Sequence, residues 1–346
     1  MRAVVFEGDG RVAVRDVAEP AVEDARDAIV RVRIAAICGS DLHFLHGKAP
    51  LEPGDVIGHE AVGVVEAVGD GVASFRPGDR VVTSFHVACG ECWFCRRGQT
   101  QLCDRWRMLG AGLFGGDLRG TQAELVRVPI ADVNLLRVPD DVDDDRAVFV
   151  GDVLTTAWYG ASVSELRDGE AVAVVGSGPV GFLLVQAALA HGAGTVLALD
   201  READRLALVQ RAGAIPIDVG ARNPRTAVDE ATEGRGADVV IDAVGHPDAF
   251  ATAIDVVRRG GRVTVVGMYT GERVEAPLGV WWARALDVRF AGICPVQAWW
   301  DASMAELRAG RLDPMPLVSH RLALEDAAEG FALFDTRRAT KVLLRP

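Results

Sequence analysis

The rhythm of apolar and polar positions changes about 150 residues into the chain. Before that point apolar positions alternate. Val30, Val32 and Ile34 are separated by Arg31 and Arg33, the period of a half-buried strand. Residues 60–68 and 79–82 repeat the theme between the turns Gly69-Asp70-Gly71 and Pro77-Gly78, and Asp9-Gly10 predicts a hairpin near the start. These signals predict an antiparallel, β-rich domain. From Asp152 onward, strands alternate with helices. Residues 171–175 are five apolar residues in a row, as expected of a strand buried on both faces of a parallel sheet. Val180, Leu183, Leu184, Ala187 and Ala188 then recur at helical spacing, and 195–199 read as the next strand. Further strands are predicted at 215–218, 238–243, 262–266 and 287–292, so that six strands complete a doubly wound α/β domain. Helical pieces at 302–309 and 324–334 and a strand at 341–344 lie beyond that finished sheet, and are expected to return to the first domain.

Between the strand 171–175 and its helix stands GSGPVG, Gly176 to Gly181. Gly176 suits a tight turn, Gly178 lets backbone approach a pyrophosphate, and Gly181 lets the helix pack close to the strand. Pro179 and Val180 open the helix, whose N-terminal N–H groups favour an anion. Asp200 ends the second strand nineteen residues past Gly181, where a carboxylate can accept the hydroxyls of an adenosine ribose. The pattern predicts dinucleotide binding. Asp200 favours NAD over NADP, because it repels a 2′-phosphate; Arg201 and Arg205 partly offset that repulsion.

A chain of 346 residues can bury two cores. Its net charge of −12 argues against nucleic acid or an anionic membrane as partner. Lysine occurs only at Lys48 and Lys341, so arginine carries nearly all positive charge. The first residues lack the long apolar core of a signal peptide and no apolar run spans a bilayer, so a cytoplasmic protein is expected. In that compartment clustered cysteines suggest metal rather than disulfides. Cys89, Cys92, Cys95 and Cys103 fall within fifteen residues, with gaps that suit four thiolates around one tetrahedral Zn²⁺. Such a closed shell shapes a loop and leaves no position for chemistry. An iron–sulfur cluster is the rival reading, but no proline follows Cys103. Cys38 and His59 are less telling by spacing alone: a lone cysteine is usually a small buried hydrophobe, and a lone histidine a satisfied core residue.

Taken together, CGSD at 38–41, GHE at 58–60, the four-cysteine loop at 89–103, GSGPVG, DVVIDAVG at 238–245 and HRLALEDAAEGF from His320 resemble the zinc-containing medium-chain dehydrogenase/reductase family, the alcohol and polyol dehydrogenases. The resemblance covers essentially the whole chain. It implies a GroES-like β domain (1–151 and 294–346) beside a Rossmann domain (152–293), with the active site in the cleft, and two zinc ions per chain. One ion is structural, in the four-cysteine loop. By position, Cys38, His59 and Asp152 become the ligands of the other, catalytic ion. Glu60 either supports that site or moves in as a temporary ligand. Charge counting favours the temporary role, because the Cys38 thiolate and Asp152 carboxylate already neutralise Zn²⁺.

The resemblance also implies that Ser40 contacts the alcohol, that His43 relays its proton toward solvent, and that Phe85 lines the substrate pocket. Thr156, Val266, Met268 and Ile293 are expected around the nicotinamide. Trp281 lies in the segment through which family dimers pair, and is expected to reach a neighbour's pocket. The expected activity is zinc-dependent hydride transfer between an alcohol, aldehyde or ketone and NAD(P), in a homodimer or homotetramer. The alternatives are a reductase of a conjugated carbonyl or imine with zinc as scaffold only, and a non-catalytic binding protein on the same fold.

Overall fold

The computed structural model describes residues 1–48 and 50–346. Two compact units emerge, one of Met1–Thr155 with Pro295–Arg308 and Pro314–Pro346, the other of Thr156–Cys294 with Ala309–Asp313. The first nine strands are β1 (Arg2–Gly8), β2 (Arg11–Asp16), β3 (Ala28–Ile37), β4 (Glu60–Val68), β5 (Arg80–Thr83), β6 (His86–Val87), β7 (Arg107–Met108), β8 (Leu125–Val128) and β9 (Leu135–Arg137). Six more follow in the second unit: β10 (Ala171–Val175), β11 (Thr195–Asp200), β12 (Ile215–Asp218), β13 (Ala237–Asp242), β14 (Val257–Val265) and β15 (Asp287–Phe290). Strands β16 (Val318–Ala323) and β17 (Lys341–Arg345) belong to the first unit again.

The first unit is built on a sheet of order β16-β17-β3-β4-β5-β9, with β8 also paired to β3. Strand β3 is its centre. Its residues alternate inward and outward around Arg31 and Arg33 and then run fully buried from Ile34 to Ile37, where β17 closes over that end. Val30, Val32, Ala61, Val65 and Val81 form one core cluster, and Ile37, Phe331, Val342 and Leu344 another. Each valine buried there contributes about 1.5–3 kcal/mol relative to exposure. From the tail, β17 joins this sheet by antiparallel pairing with β3, whereas Ala309–Asp313 belongs to the second unit.

The second unit has one parallel sheet of order β12-β11-β10-β13-β14-β15. The order reverses beside β10, so a crevice opens at the carboxyl ends of β10 and β13. All five residues of β10 are buried, as its unbroken apolar run requires.

Several elements differ from expectation, among them β14, which starts at Val257 rather than at 262. The helix expected at 302–309 begins at Val296, directly after Pro295, because Val296, Trp300, Met304 and Leu307 form one buried stripe. The piece expected at 324–334 divides into a 3₁₀ turn, Leu324–Asp326, and a helix, Ala327–Asp335. Strand β16 was not expected; half its residues face solvent at the sheet edge, so its pattern is weak.

Candidate active site

Cys38 follows the last residue of β3 and caps the helix Gly39–Leu45. Asp41 fixes that corner: its Oδ2 accepts the Cys38 N–H (3.0 Å) and the Gln122 Nε2 (3.2 Å), while its Oδ1 stands 3.0 Å from His59 Nδ1. His59 precedes β4 and is wholly buried. The preceding Gly58 has φ of +90°, and a Cβ there would meet Gln122 Cγ at 2.4 Å, so the turn that aims the imidazole requires glycine. Asp152 sits between a 3₁₀ turn, Val148–Gly151, and the helix Val153–Val163. A Cβ on Gly151 would lie 2.1 Å from the Thr83 carbonyl, so glycine is needed for the close approach that brings Asp152 in.

These segments converge. One donor atom from each of Cys38, His59, Glu60 and Asp152 lies within 4.8 Å of the other three. Asp152 Oδ2 is 3.6 Å from Cys38 Sγ and 3.3 Å from His59 Nε2. Bonds of about 2.0–2.3 Å to a tetrahedral ion place its ligands about 3.3–3.8 Å apart, so Asp152 stands at zinc-site spacing from both Cys38 and His59. Ser40 Oγ is 3.1 Å from His59 Nε2, which puts this hydroxyl at the same place. His43, in the last turn of the Cys38 helix, is half-buried and is not one of the four donors. Phe85 is buried, edge-on to His59 at 6.2 Å between centroids.

The fourth donor has a partner that sequence reasoning missed. Lys341, first residue of β17, is fully buried, with Nζ 2.7 Å from Oε1 and 2.6 Å from Oε2 of Glu60. Only the first contact has hydrogen-bond geometry. Burial would lower the Lys341 ammonium, but the charges of Glu60, Cys38 and Asp152 outweigh it and hold it above the usual lysine range. Burial pushes the Cys38 thiol up, and Glu60 and Asp152 push it the same way. A divalent cation would offset the crowding of the Cys38 sulfur with the Glu60 and Asp152 carboxylates, which the Lys341 ammonium meets at Glu60 alone. The donor set fits zinc in number and chemistry.

The second thiol cluster is separate. Cys89, Cys92, Cys95 and Cys103 bring their sulfurs within 4.8 Å of one another, with Cys89 Sγ and Cys95 Sγ 3.9 Å apart, and none forms a disulfide. Backbone N–H groups point at these sulfurs: Cys92 N to Cys89 Sγ, Cys89 N to Cys103 Sγ and Arg105 N to Cys103 Sγ, each at 3.3 Å. Such donors pull the Cys92 thiol down to about 6, through the N–H groups of Cys95 and Asp104. Burial pushes the Cys95 and Cys103 thiols up, so it is the convergence of four sulfurs, rather than their acidity, that suits a closed tetrahedral shell.

In the second unit, Gly176 has φ of +90°, and a Cβ on Gly181 would lie 1.8 Å from the Gly176 carbonyl. The protein's own packing demands both. A Cβ on Gly178 would meet only Arg205 Nη1, at 3.7 Å, so the open space above this residue is a cradle on the crevice side. Gly178 caps the helix Pro179–Ala190, and Pro179 and Val180 form its first turn. Asp200 accepts N–H groups from Ser177 (2.6 Å), Arg201 (2.7 Å) and Glu202 (3.0 Å). It thus ties the glycine turn to the end of β11. Arg205 stands 4.0 Å from it. Val266 and Met268 follow β14 and Ile293 follows β15, all at the carboxyl ends of the parallel strands; Met268 and Ile293 are exposed. Thr156 lies near the start of the helix Val153–Val163 and is half-buried. The turn and the cradle fit a dinucleotide.

Trp281 packs edge-on against Phe250 of its own unit, at 5.8 Å between centroids, so within the chain it covers the second unit's core. Its neighbour Trp282 is 84% exposed.

Comparison with known proteins agrees with both halves. Residues 24–140 match the alcohol dehydrogenase GroES-like domain, and 179–305 match the zinc-binding dehydrogenase domain. A Mycobacterium tuberculosis protein named "Probable zinc-binding alcohol dehydrogenase" is 38% identical, over 100% of this chain and 89% of its own. The alcohol dehydrogenase TADH from Thermus sp. ATN1 superimposes with a TM-score of 0.96 at 46% identity, covering 100% of this chain and 99% of its own. A Sinorhizobium meliloti structure bound to NADP reaches 0.89 at 29% identity, with coverage of 100% and 99%.

Proposed function

The chain belongs to the zinc-containing medium-chain dehydrogenase/reductase family, and from that premise we propose that it is an NAD(P)-dependent alcohol dehydrogenase, with NAD the preferred cofactor. The observation that carries this reading is the meeting of Cys38, His59 and Asp152 at the spacing of a tetrahedral ion, apart from the four-cysteine loop. Three protein ligands leave one position open, which is the signature of a catalytic rather than a structural centre. A fold that used zinc only as scaffold would have no need of this second set.

Zinc held there supplies Lewis acidity toward an alcohol or carbonyl oxygen, and nicotinamide accepts or returns the hydride. Asp41 orients the His59 ring through Nδ1 and leaves Nε2 for the ion. The Ser40 hydroxyl accepts the alcohol proton, and His43, three residues further along the same helix, passes it toward solvent. Asp200 keeps the glycine turn in place and presents its carboxylate to the ribose, where a 2′-phosphate would be repelled; Arg205 softens this preference. Glu60 serves as a temporary ligand while substrate exchanges. The thiolate-rich loop suits a reducing compartment, in keeping with a cytoplasmic enzyme, and the chain acts as a homodimer or homotetramer.

The test is a screen of primary, secondary and vicinal-diol alcohols with NAD⁺ and with NADP⁺, following reduced cofactor by absorbance. We expect turnover with at least one alcohol, higher kcat/KM with NAD⁺, loss on chelation and recovery with zinc. Turnover that survives removal of the Cys38 metal would refute the proposal.

A further inference from the structure

Glu60 and Lys341 flank the end of β3 from opposite sides. In β4, Glu60 pairs with Ala36; in β17, Val342 pairs with Ile37, which places Lys341 level with Cys38. Both side chains are fully buried, so neither charge has water as an alternative partner. Lys341 is one of only two lysines in the chain, and the other, Lys48, is exposed. Its Nζ lies on both oxygens of Glu60 and 5.6 Å from the Phe149 ring centroid.

We propose that Lys341 is a positioning residue that holds the fourth metal position open by competing with the ion for the Glu60 carboxylate. This rests on the alcohol dehydrogenase reading, and on the charge and reach of Glu60. Glu60 is close enough to the other donors to join them, and its Oε2 lacks a well-aligned hydrogen bond. A buried carboxylate without a counter-charge is strongly unfavourable, so it takes whichever cation is at hand. With Lys341 present there are two, and an incoming oxygen ligand can displace Glu60 onto the ammonium. Without Lys341 there is one. Glu60 then closes the shell as a fourth protein ligand, and the centre becomes like a structural site.

The experiment uses the zinc-loaded full chain, with imidazole as a neutral probe of the open position. Wild type, Lys341→Met and Lys341→Met/Glu60→Gln are compared by imidazole binding, by zinc release to a chelator, and in crystals soaked with imidazole. In wild type we expect imidazole on zinc and Glu60 on Lys341. In Lys341→Met a Glu60 oxygen should lie about 2.2 Å from zinc. Imidazole affinity should fall, and zinc release slow, by about tenfold or more. The double variant should bind imidazole again. Lys341→Met crystals with imidazole on zinc and Glu60 off it would overturn the proposal. So would a single variant that stays unfolded with zinc present while the double variant folds, because Glu60 then cannot reach the ion. A wild type that holds no zinc at Cys38, His59 and Asp152 sinks the dehydrogenase reading itself; normal zinc binding with an unchanged Lys341→Met profile sinks only the role of Lys341.

Discussion

At the scale of single residues, Asp41 shows how much one carboxylate arranges. It holds the backbone N–H of Cys38, sets its other oxygen 3.0 Å from the His59 ring, and is itself held by Gln122. Asp41→Asn keeps the shape but removes the charge behind the imidazole. We expect zinc affinity at the Cys38 centre to fall about 10–100-fold, measured by chelator competition, with the four-cysteine loop unaffected. Asp41 stands in the CGSD stretch, yet nothing in its spacing separates it from an ordinary helix-capping aspartate. Cys38 and His59 were equally mute by spacing, and became readable only through the motifs around them. Lys341 was hidden for a different reason. A lysine opening an apolar strand reads as an exposed flank, and only the fold shows that its partner comes from β4. Asp200 was found by its offset from the glycines, but its bonds to the Ser177, Arg201 and Glu202 N–H groups depend on a turn that spacing does not describe.

At the scale of elements, the parallel sheet is secured by an ion pair at the start of its strands. Asp238 in β13 accepts Arg258 Nε of β14 at 2.5 Å and the Ala171 N–H of β10 at 2.8 Å. Burial pushes the Asp238 carboxyl up, but Arg258 and Ala171 outweigh it and hold it below the usual range. A carboxyl lowered on folding stabilises above about pH 4, where the unfolded chain is ionised, and loses that contribution as pH falls through its folded value. Asp238→Asn should therefore cost roughly 0.5–1 kcal/mol at neutral pH after solvent screening. In urea titrations the gap to wild type should narrow below about pH 4. The same pair explains why β14 was legible only from residue 262. Its first half, VRRGG, looks like a turn until Arg258 is seen to spend its charge on Asp238. Strand β10, by contrast, was plain, because five apolar residues between a polar flank and a glycine turn admit little else.

At the scale of the whole molecule, the second unit leaves apolar surface uncovered beside its last strand. No residue of the helix Leu278–Ala283 is buried; Leu278 is 69% exposed and Trp282 84%. Strand β15 ends the sheet with one edge unpaired and Phe290 66% exposed. A strand edge of this kind invites pairing with another chain. On the proposed reading of the chain as a homo-oligomer, Leu278→Glu/Trp282→Glu should halve the mass seen by light scattering, with circular dichroism unchanged; a variant of unaltered mass removes this face from that reading. The two units also differ in how they draw on the chain. Strands β10–β15 come from one continuous stretch, whereas the contact of Lys341 with Glu60 joins residues 281 positions apart. During translation, then, the parallel sheet can close while β3 still lacks β17 at one edge. Lys341 is made only after β10–β15, so the buried carboxylate of Glu60 meets its ammonium partner later than the parallel sheet receives its last strand.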